Sequence, residues 1–497
     1  MEDGEHRQMI TLAYERIESP SLWMAGIVFI GLAASMIPCI IVALVYGESL
    51  FPFVASFMIY SVLGLLCQVG FKMGYVRPVN VLVMLAVIWV TSIGFGMIPF
   101  VLGGMPVIDS LMESASGFTT AGCSTISDYG QWSNGIMFYR SLSNWVGGIM
   151  IILIVMLILP MAKVGNRTLV SNEMSGSGSS NVSVRLRDAA VQFAFIYLLL
   201  TIVMFFLLIV TGTDAFDSLS LSLCTVSTGG LISGDMEVNT AARIIMIVFM
   251  FLGGTNFYLH FKAIFLRKPG VYRQSSEFMG VLVWCIAMSV AMYFLVEPYS
   301  EVGPLETYLD SIFAVISSCT TTGYTLPEMD TWPKLSMIIM FAIAFVGASS
   351  GSTSGGVKMS RMIVLLKYLR NTVDHILHPN SVDEIYVDGS PVSGEYVRMC
   401  AVVVFMFMVT VCVFVVVFML SGVESVESIE VVLAMITSLG TVDVDIAAMS
   451  PFLKVMMVVM MWAGRLEILV AVAILNPRVW VEHYRDVRHR IARSASH

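Results

Sequence analysis

The sequence predicts an all-α integral membrane protein, in which four repeated helix–pore-loop–helix units surround one pore and follow two extra N-terminal transmembrane helices. Apolar residues make up 57% of the 497 residues and charged residues only 12%, whereas a soluble domain carries about 25% charged residues. The mean hydropathy is +0.85. Ten long apolar runs bracket four polar, glycine-bearing stretches. Such stretches are costly at membrane depth unless they line a cavity or a pore.

Each apolar run is long enough to cross a bilayer, which takes roughly 20 mostly apolar residues. The ten predicted spans are residues 22–46, 51–71, 80–102, 137–161, 189–212, 243–265, 278–296, 335–369, 400–421 and 454–476. The first two form a pair with no polar loop between them, and the other eight form four pairs that each bracket one loop. The eighth span is overlong and interrupted.

This pairing divides the chain into five regions. They are residues 1–79, a cytoplasmic N-terminus and the extra helix pair; 80–165, the first pore unit; 166–270, a cytoplasmic linker and the second unit; 271–370, the third unit with its interrupted helix; and 371–497, a linker, the fourth unit and a cytoplasmic C-terminus. The two linkers are either flexible connectors or docking surfaces for a soluble partner.

The four loops repeat one pattern of residue type and spacing. Their glycines are Gly122, Gly229, Gly323 and Gly440. An acid–Ser–aliphatic triplet precedes each glycine by 12 or 13 residues, and the triplets begin at Asp109, Asp217, Asp310 and Glu427. An acid at this place is typical of a helix start, because it satisfies free amides and the helix dipole. In the second loop the spacing favours Gly230, whereas the S/T-x-G pattern favours Gly229, which we take.

The Lys and Arg residues predict the orientation, because cytoplasmic loops carry an excess of them. With the N-terminus in the cytoplasm, all but five of the 27 Lys and Arg residues fall in cytoplasmic segments. Four of the exceptions lie at the outer start of the second helix of each unit: Arg140, Arg243, Lys334 and Lys454. We therefore expect a multi-pass protein with both termini in the cytoplasm and four loops that enter from outside.

The loops have the chemistry of a cation filter. Rings of backbone carbonyls can replace the hydration shell of potassium, and glycine permits the backbone angles that aim successive carbonyls at one axis. The predicted filter residues are Thr119, Thr120, Ala121, Gly122, Val226, Ser227, Thr228, Gly229, Thr320, Thr321, Thr322, Gly323, Thr437, Ser438, Leu439 and Gly440. We expect no metal other than the permeating ion, since the sequence has no spaced His, Cys, Asp and Glu cluster.

Several carboxylates follow the loop glycines on the predicted outer side. They are Asp128, Asp235, Glu328, Asp330, Asp443 and Asp445. These residues are either ordinary solvated loop charges or an outer vestibule whose field concentrates cations. No basic patch with interleaved aromatic residues indicates nucleic-acid binding.

The eighth span is interrupted by Phe345–Lys358, where every residue of 347–356 is Gly, Ala, Ser or Thr. Its G-x-S-x-G match at 347–351 lacks the preceding strand of a hydrolase. We interpret the run as a mobile segment beneath the filters that blocks or opens the pore, with a plain helix kink as the alternative. The candidate gate residues are Gly347, Ser349, Ser350, Gly351, Ser352, Thr353, Ser354, Gly355, Gly356, Lys358 and Arg465.

Arg465 is the one cation inside a predicted span. A charge at the centre of a membrane helix costs around 3 kcal/mol on insertion scales, so it should face a cavity or a partner. Two interpretations stay open: a structural ion pair with another unit, or a positive charge on the permeation path.

Seven motifs resemble the Trk/Ktr/HKT superfamily of potassium transporters, and most closely its TrkH-type pore subunits. They are G-F-T-T-A-G-C at 117–123, W-V-G-G at 145–148, V-S-T-G-G-L at 226–231, G-G-T-N-F-Y-L-H-F at 253–261, T-T-T-G-Y-T at 320–325, G-S-T-S-G-G-V-K at 351–358 and G-R-L-E-I at 464–468. The resemblance covers nearly the whole chain, and the extra helix pair is similar to the TrkH type.

The resemblance implies potassium uptake across the cytoplasmic (inner) membrane, with K⁺ and also Rb⁺ as transported ions and no bound cofactor. It implies a homodimer with one pore in each protomer, and a cytosolic nucleotide-binding regulatory subunit of the TrkA type. It further implies that residues 347–356 form the gating loop and that Arg465 lies near it on the ion path.

In the family, glycine at all four filter positions accompanies potassium preference, and serine in the first accompanies sodium permeation. Here all four are glycine, but Ala121 and Cys123 replace the usual residues around the first and reduce its hydroxyl count. A K⁺ symporter coupled to H⁺ or Na⁺ is the alternative function, which Glu113 in the first short helix keeps open. We expect no enzymatic activity, because no paired acids or histidines face a common cavity.

Overall fold

The first two helices form a separate pair at the start of the chain. The computed structural model describes residues 16–74, 78–155, 182–232, 238–300, 302–378, 384–466 and 468–494. Helices α1 (Pro20–Val45) and α2 (Phe51–Gly70) pack against each other. The dipeptides β1 (Ile17–Glu18) and β2 (Phe71–Lys72) flank this pair and form a short parallel ladder with Ile17 opposite Phe71. The two ends of the helix pair therefore lie side by side.

The next two sets of helices repeat one arrangement, in which a short helix lies between longer ones. The first set contains α3 (Pro78–Gly96), α4 (Ile98–Leu102), the short helix α5 (Val107–Phe118), a 3-10 turn (Tyr129–Gln131) and α6 (Asn134–Leu153). The second contains α7 (Val182–Val210), the short helix α8 (Ala215–Val226), α9 (Thr240–Gly253) and α10 (Phe257–Ile264). The four-residue helix α11 (Val271–Gln274) follows.

The third and fourth sets have the same order. The third contains α12 (Ser276–Val296), a 3-10 turn (Glu297–Tyr299), the short helix α13 (Pro304–Cys319), a 3-10 turn (Pro327–Thr331), α14 (Lys334–Val346) and α15 (Met359–Leu377). A hairpin of β3 (Tyr386–Val387) and β4 (Ser390–Pro391) leads to the fourth, which contains α16 (Gly394–Leu420), the short helix α17 (Ser425–Thr437), α18 (Pro451–Arg465) and α19 (Ile468–Leu475). The chain ends in α20 (Pro477–Ser494).

The second long helix is broken in three of the four sets. In the described ranges, seven helices are long and apolar enough to cross a membrane, or up to nine spans if each of two bent helix pairs counts as one. The bent pairs are α9–α10, at 97°, and α18–α19, at 114°. The sequence predicts the interruption between α14 and α15 but neither of these two bends. The predicted spans at 243–265 and 454–476 are therefore bent helix pairs rather than straight helices.

The bend after α9 is stabilised by contacts from a distant part of the chain. The Asn256 side chain accepts a hydrogen bond from Tyr258 N and begins the new helix. Gly254 O accepts from Ser349 N, and Phe257 N donates to Gly351 O, at 3.1 Å in both cases. The free backbone groups at the break thus find partners inside the protein, as a break at membrane depth requires.

Glycines bring the second helix of three sets into contact with the end of the short helix. The close approaches join Gly147 to Phe118 O, Gly253 to Val226 O, and Gly464 to Ile436 O. A Cβ at any of these glycines would lie less than 3.0 Å from that oxygen. Since a carbonyl cannot move away as a side-chain tip can, the W-V-G-G, G-G-T-N and G-R-L motifs reflect this backbone packing.

The outward faces of the long helices are apolar. Large side chains such as Phe206 on α7, Phe294 on α12 and Phe405 on α16 are exposed on the surface of the chain. Lipid tails would cover such a surface, whereas water would penalise it.

Candidate functional site

The four short helices α5, α8, α13 and α17 end in the same backbone motif. We call the segments at these helix ends loop 1 (Thr119–Gly122), loop 2 (Ser227–Gly230), loop 3 (Thr320–Gly323) and loop 4 (Thr437–Gly440, whose first residue is the last of α17). In loop 1, Thr120 N donates to Gly117 O and Ala121 N to Ser116 O, both at 2.9 Å. This pair of hydrogen bonds is the Schellman motif, which satisfies the last helix carbonyls. Loops 2 to 4 repeat it with their own residues.

Each loop also contains two residues with positive φ, separated by one residue. The first is a hydroxyl residue in every loop: Thr120, Thr228, Thr321 and Ser438, with φ of 51°, 53°, 52° and 60°. The second is a glycine in every loop: Gly122, Gly230, Gly323 and Gly440, with φ of 77°, 60°, 82° and 73°. The four loops therefore share one conformation, residue by residue.

This shared conformation corrects the assignment of the second loop. Gly230 has the positive φ of the other three loop glycines, while Gly229 occupies the position of Ala121, Thr322 and Leu439. The predicted choice of Gly229 as the equivalent glycine is wrong, and Val226 is equivalent to Phe118, Cys319 and Ile436, which precede the other loops. The spacing from Asp217 indicated Gly230. The S/T-x-G pattern indicated Gly229 instead, because two adjacent glycines occur in this loop.

The loops touch one another in cyclic order. A Cβ at Gly122 would lie less than 3.0 Å from Gly229 O of loop 2, and one at Gly230 equally close to Thr322 O of loop 3. In the same way, Gly323 approaches Leu439 O of loop 4. Gly440 approaches Ala121 O of loop 1, which closes the ring. The glycine of each loop thus lies against the carbonyl of the third residue of the next loop, where a side chain has no room.

Two of the four hydroxyl residues with positive φ bond to the segment between α14 and α15, residues 347–358. Thr321 Oγ1 accepts a hydrogen bond from Gly355 N at 2.6 Å, and Thr228 Oγ1 bonds to Thr353 Oγ1 at 3.0 Å. Left-handed backbone costs a non-glycine residue about 1–2 kcal/mol. Strained backbone of this kind is typical of functional sites, where contacts with the surrounding structure hold the residue in the unfavourable conformation.

The α14–α15 segment lies directly against three of the four loops. It leaves α14 at Gly347, which has a φ of 69°, and returns to the end of that helix, because Val357 N donates to Phe345 O at 2.9 Å and Lys358 N to Val346 O at 3.0 Å. A Cβ at Gly355 would lie less than 3.0 Å from Thr437 O in loop 4. The segment therefore contacts loops 2, 3 and 4 with its own atoms.

Thr353 also bonds through both its N and its Oγ1 to Gly253 O, and several further contacts of the segment are local. Ser352 Oγ donates to Ser349 O at 2.6 Å and shares a hydrogen bond with Ser354 Oγ at 2.8 Å. The Lys358 ammonium donates to Ser354 O. An exception that the sequence analysis missed is Glu277 of α12, whose Oε1 accepts from Ser350 N at 2.6 Å.

Arg465 joins the segment to loop 1. The side chain is buried, and its Nη2 donates both to Thr120 Oγ1 and to Thr353 O. Among the residues that the structure describes, no carboxylate lies within ion-pair distance of Arg465. Within that part of the chain, the structural ion pair that was one of the two interpretations is not formed. The charge instead lies beside the ring of loops.

A cavity borders the α14–α15 segment. Besides the segment, its walls include Ile151 of α6, Phe407 of α16, and Arg465 with Ile468 at the bend of α18–α19. These residues come from different helix sets, so the cavity lies between the sets rather than inside one of them.

On the other side of the loops, the four predicted cations lie at the starts of the second helices, and three of them form ion pairs. Arg140 bonds to Glu113 at 2.8 Å, with both side chains buried. Arg243 bonds to Asp310 and Glu328 of the third set, and Lys454 bonds to Asp109 of the first. Removing one partner of a buried pair costs about 3–5 kcal/mol. The pairs of Arg243 and Lys454 therefore join neighbouring sets, whereas the pair of Arg140 and Glu113 lies within the first set.

Several outer acids have local roles in addition. Glu113 also accepts from Thr125 N at 2.6 Å, and Glu430 accepts from Asp443 N at 2.6 Å, so both hold the chain just after a loop. Asp128 caps a 3-10 turn through Gly130 N. Asp235 lies outside the described residues. Within the described ranges, no group of three or more His, Cys, Asp or Glu side chains could hold a metal ion.

Comparisons with known proteins agree with this geometry. The TrkH family model, described as a cation transport protein, matches residues 99–479. The chain is 29% identical to the Trk system potassium uptake protein TrkH of Escherichia coli, over 79% of this chain and 84% of that protein. It is 27% identical to the protein of the same name from Halomonas elongata, over 92% and 98%.

The fold has a solved counterpart. The crystal structure of the potassium transporter TrkH from Vibrio parahaemolyticus superimposes with a TM-score of 0.85 at 24% identity, and the match covers 93% of this chain and 99% of that one. The relatives are named potassium uptake proteins, that is, transport proteins rather than enzymes. Because the family model matches well over half of the residues, the chain belongs to the TrkH family of cation transport proteins.

Proposed function

We propose that this protein is a pore for potassium uptake across the cytoplasmic membrane. The observation that carries the proposal is the closed ring of four loops with one backbone conformation, in which each glycine lies against a carbonyl of the next loop. The choice of ion rests on the relatives, which are named potassium uptake proteins. Uptake of Rb⁺, which is chemically similar to K⁺, is part of the same proposal.

The loops would act as four selectivity filters around one axis. A dehydrated cation needs several oxygen ligands, and carbonyls arranged around the ring would supply them. The short helices α5, α8, α13 and α17 end at the loops, so the negative ends of their dipoles would stabilise a cation there. Because carbonyls rather than side chains provide the ligands, Ala121 and Leu439 need not prevent potassium binding.

The α14–α15 segment and Arg465 would form the gate. The segment contacts three loops directly, and Arg465 ties it to the fourth. A guanidinium charge beside the ring would repel a cation that leaves the filter. We infer that the structure represents a closed pore, whose opening requires the segment to leave the ring of loops.

The geometry favours a pore over the alternative of a coupled symporter. Glu113 was the acid that kept proton or sodium coupling open. Its two carboxylate oxygens are bound by Arg140, Ser124 and Thr125, so the group is engaged in holding the chain after loop 1. An ion pair of this kind is a poor proton relay, since protonation would leave a buried arginine unpaired.

The proposal includes the assembly and orientation that the resemblance implies. Both termini would be cytoplasmic, so that the loops open to the outside and the α14–α15 segment faces the cytoplasm. The protein would form a homodimer and bind a cytosolic nucleotide-binding regulatory subunit of the TrkA type. Co-purification with such a subunit, and a change of flux on adding ATP or ADP, would test this part.

Ion flux into lipid vesicles tests the function itself. Purified protein is reconstituted into vesicles with an outward K⁺ gradient, and uptake of radioactive rubidium is measured at a fixed lipid-to-protein ratio. We expect uptake above that of protein-free vesicles and collapse of uptake when the gradient is removed. If no uptake occurs with or without a regulatory partner, the protein is not a pore. Uptake that follows external pH at a clamped voltage would indicate coupled transport instead.

Replacing Gly122 with serine should weaken discrimination between potassium and sodium. The residue has a φ of 77°, and its Cβ would approach Gly229 O, so the substitution displaces the ring at loop 1. We expect the K⁺/Na⁺ selectivity ratio to fall about tenfold, which corresponds to roughly 1.4 kcal/mol. Gly94→Ser in α3 is the matched control, because a Cβ there meets nothing within 4 Å. An unchanged ratio in Gly122→Ser would contradict the filter assignment.

A further inference from the structure

Glu277 is a buried carboxylate at the start of α12 that does not serve its own helix. Its side chain is only 9% exposed, and Oε1 accepts from Ser350 N at 2.6 Å. An acid in the first turn of a helix ordinarily stabilises the free amides and dipole of that helix. Here the capping bond comes from Ser275, whose hydroxyl accepts from Phe278 N. The Glu277 carboxylate thus bonds to the α14–α15 segment rather than to its own helix.

The Ser350 amide needs this partner. It lies in a non-helical stretch, where its own backbone provides no ladder of hydrogen bonds. A buried amide without an acceptor is unfavourable, and an ionised acceptor gives one of the stronger hydrogen bonds in proteins. The neighbouring hydroxyl reinforces the position, since Ser350 Oγ and Ser360 Oγ lie 2.5 Å apart. Glu277 therefore binds the segment on the side of α12, away from Thr353 and Gly355, which face the loops.

The helix end that carries Glu277 is itself held by the hairpin β3–β4. Asp388 lies in the turn of this hairpin, and its Oδ1 accepts from Ser276 N at 2.7 Å. The hairpin is fixed to α15 because Lys367 Nζ donates to Tyr386 O at 2.7 Å. A continuous set of contacts thus runs from an exposed turn, through the first residues of α12, to the α14–α15 segment.

We propose that Glu277 is a positioning residue for the gate: through its bond to Ser350, it holds the α14–α15 segment in the closed conformation. Asp388 in turn fixes the end of α12 that carries Glu277. The inference rests on the proposed gating role of the segment. Loss of the carboxylate releases one edge of the segment while its contacts with the loops remain. The segment then spends more time away from the ring.

The test compares Glu277→Ala with Glu277→Gln, which keeps an acceptor oxygen. Two readouts are taken on the full-length protein: hydrogen–deuterium exchange of peptides covering residues 347–358, and rubidium uptake without any partner. In Glu277→Ala we expect exchange at Ser350 and basal uptake to rise about tenfold, the factor that one charge-assisted hydrogen bond commonly contributes. Glu277→Gln should retain most of the protection. Glu297→Ala, at an exposed residue just beyond the far end of the same helix, is the control.

A second pair of variants covers the case in which Glu277→Ala does not fold. Asp388 is exposed, so Asp388→Ala should leave the membrane core intact. We expect it to raise exchange at residues 347–358 a few-fold, because Ser276 loses its acceptor while Glu277 stays in place. Glu384→Ala, in the same exposed stretch, is the matched control and should leave exchange unchanged.

The two readouts separate this inference from the proposed function. Faster exchange in Glu277→Ala with no rubidium uptake even in the wild type would support the positioning role and overturn the pore. Uptake by the wild type, with exchange and basal uptake unchanged in both Glu277→Ala and Asp388→Ala, would overturn the positioning role alone. Equal effects of alanine and glutamine at position 277 would also overturn it, since the acceptor oxygen would then be irrelevant.

Discussion

Replacing Gly230 with alanine is expected to abolish ion flux. The residue has a φ of 60°, and its Cβ would lie less than 3.0 Å from Thr322 O in loop 3. The overlap is with backbone, so no side-chain rotation can relieve it, and the ring must open between loops 2 and 3. We expect rubidium uptake to fall at least about a hundredfold, equivalent to roughly 2.7 kcal/mol.

Gly229→Ala is the matched control for this prediction. Its φ is not in the left-handed region, and the atoms that its Cβ would approach most closely belong to the end of the Asn144 side chain. Because a side-chain amide can shift at lower cost than a carbonyl of the ring, the loss of flux should be clearly smaller. Gel filtration and thermal unfolding in detergent would verify that both variants remain folded.

The comparison decides the register of loop 2. A larger loss in Gly229→Ala than in Gly230→Ala would show that Gly229 is the functional equivalent of Gly122. Equal losses would mean that loop 2 responds to any added methyl group and does not form part of a regular ring. Only the ordering with Gly230 as the more sensitive position is consistent with cyclic contact between the four loops.

The sequence predicted the fold class because its signals are local and repeated. Apolar runs long enough to span a bilayer are visible without any tertiary information, and so is the spacing from each acid to its glycine. The same spacing pointed to Gly230. The decisive property is a left-handed backbone at every second loop residue, of which the Schellman ends of the short helices account for the first. In loop 2, two adjacent glycines both permit that conformation, so residue type alone could not choose between them.

The bends and the contacts of the α14–α15 segment were not predictable in the same way. The Gly253–Asn256 stretch contains no proline, and none of its residues breaks a helix as strongly as a proline does. The sequence there is therefore compatible with a continuous helix. The bend after α9 depends on Ser349 and Gly351, nearly a hundred residues away in the chain. Likewise, Glu277 looks like an ordinary first-turn acid, and its bond to Ser350 becomes visible only when α12 is packed against the α14–α15 segment. Partners that are distant in sequence leave no local pattern.

Shortening the α14–α15 segment is expected to raise flux more than any other change. Deleting residues 350–354 removes Thr353, and with it the bond to Thr228 and the carbonyl that Arg465 binds. The ends of the segment should stay together, because Val357 N and Lys358 N bond to Phe345 O and Val346 O. The shortened chain therefore has a route between α14 and α15 that avoids the loops.

The size of the effect follows from the contacts that are lost. The deletion removes the bond from Thr228 to Thr353 and the Thr353 carbonyl that Arg465 binds, while Gly355 and its bond to Thr321 stay. Each lost hydrogen bond contributes about 0.5–1.5 kcal/mol. A bias of roughly 1–3 kcal/mol toward the closed state would thus disappear, which raises the open fraction about 5-fold to 150-fold if the closed state dominates. Rubidium uptake without a partner, measured against the wild type at equal reconstitution, reports this change.

The Arg465→Ala variant, alone and combined with the deletion, tests whether the α14–α15 segment is a gate or only a packing element. If the arginine acts by holding Thr353, the single variant raises flux, and adding it to the deletion changes little further, since both remove the same contact. If its charge also repels the ion in the open pore, the double variant conducts still faster.

A deletion variant that is folded and selective but conducts no faster than wild type would contradict the gating role of the segment. The segment would then be a structural plug that keeps the left-handed residues Thr228 and Thr321 in place, and opening would have to occur elsewhere along the pore.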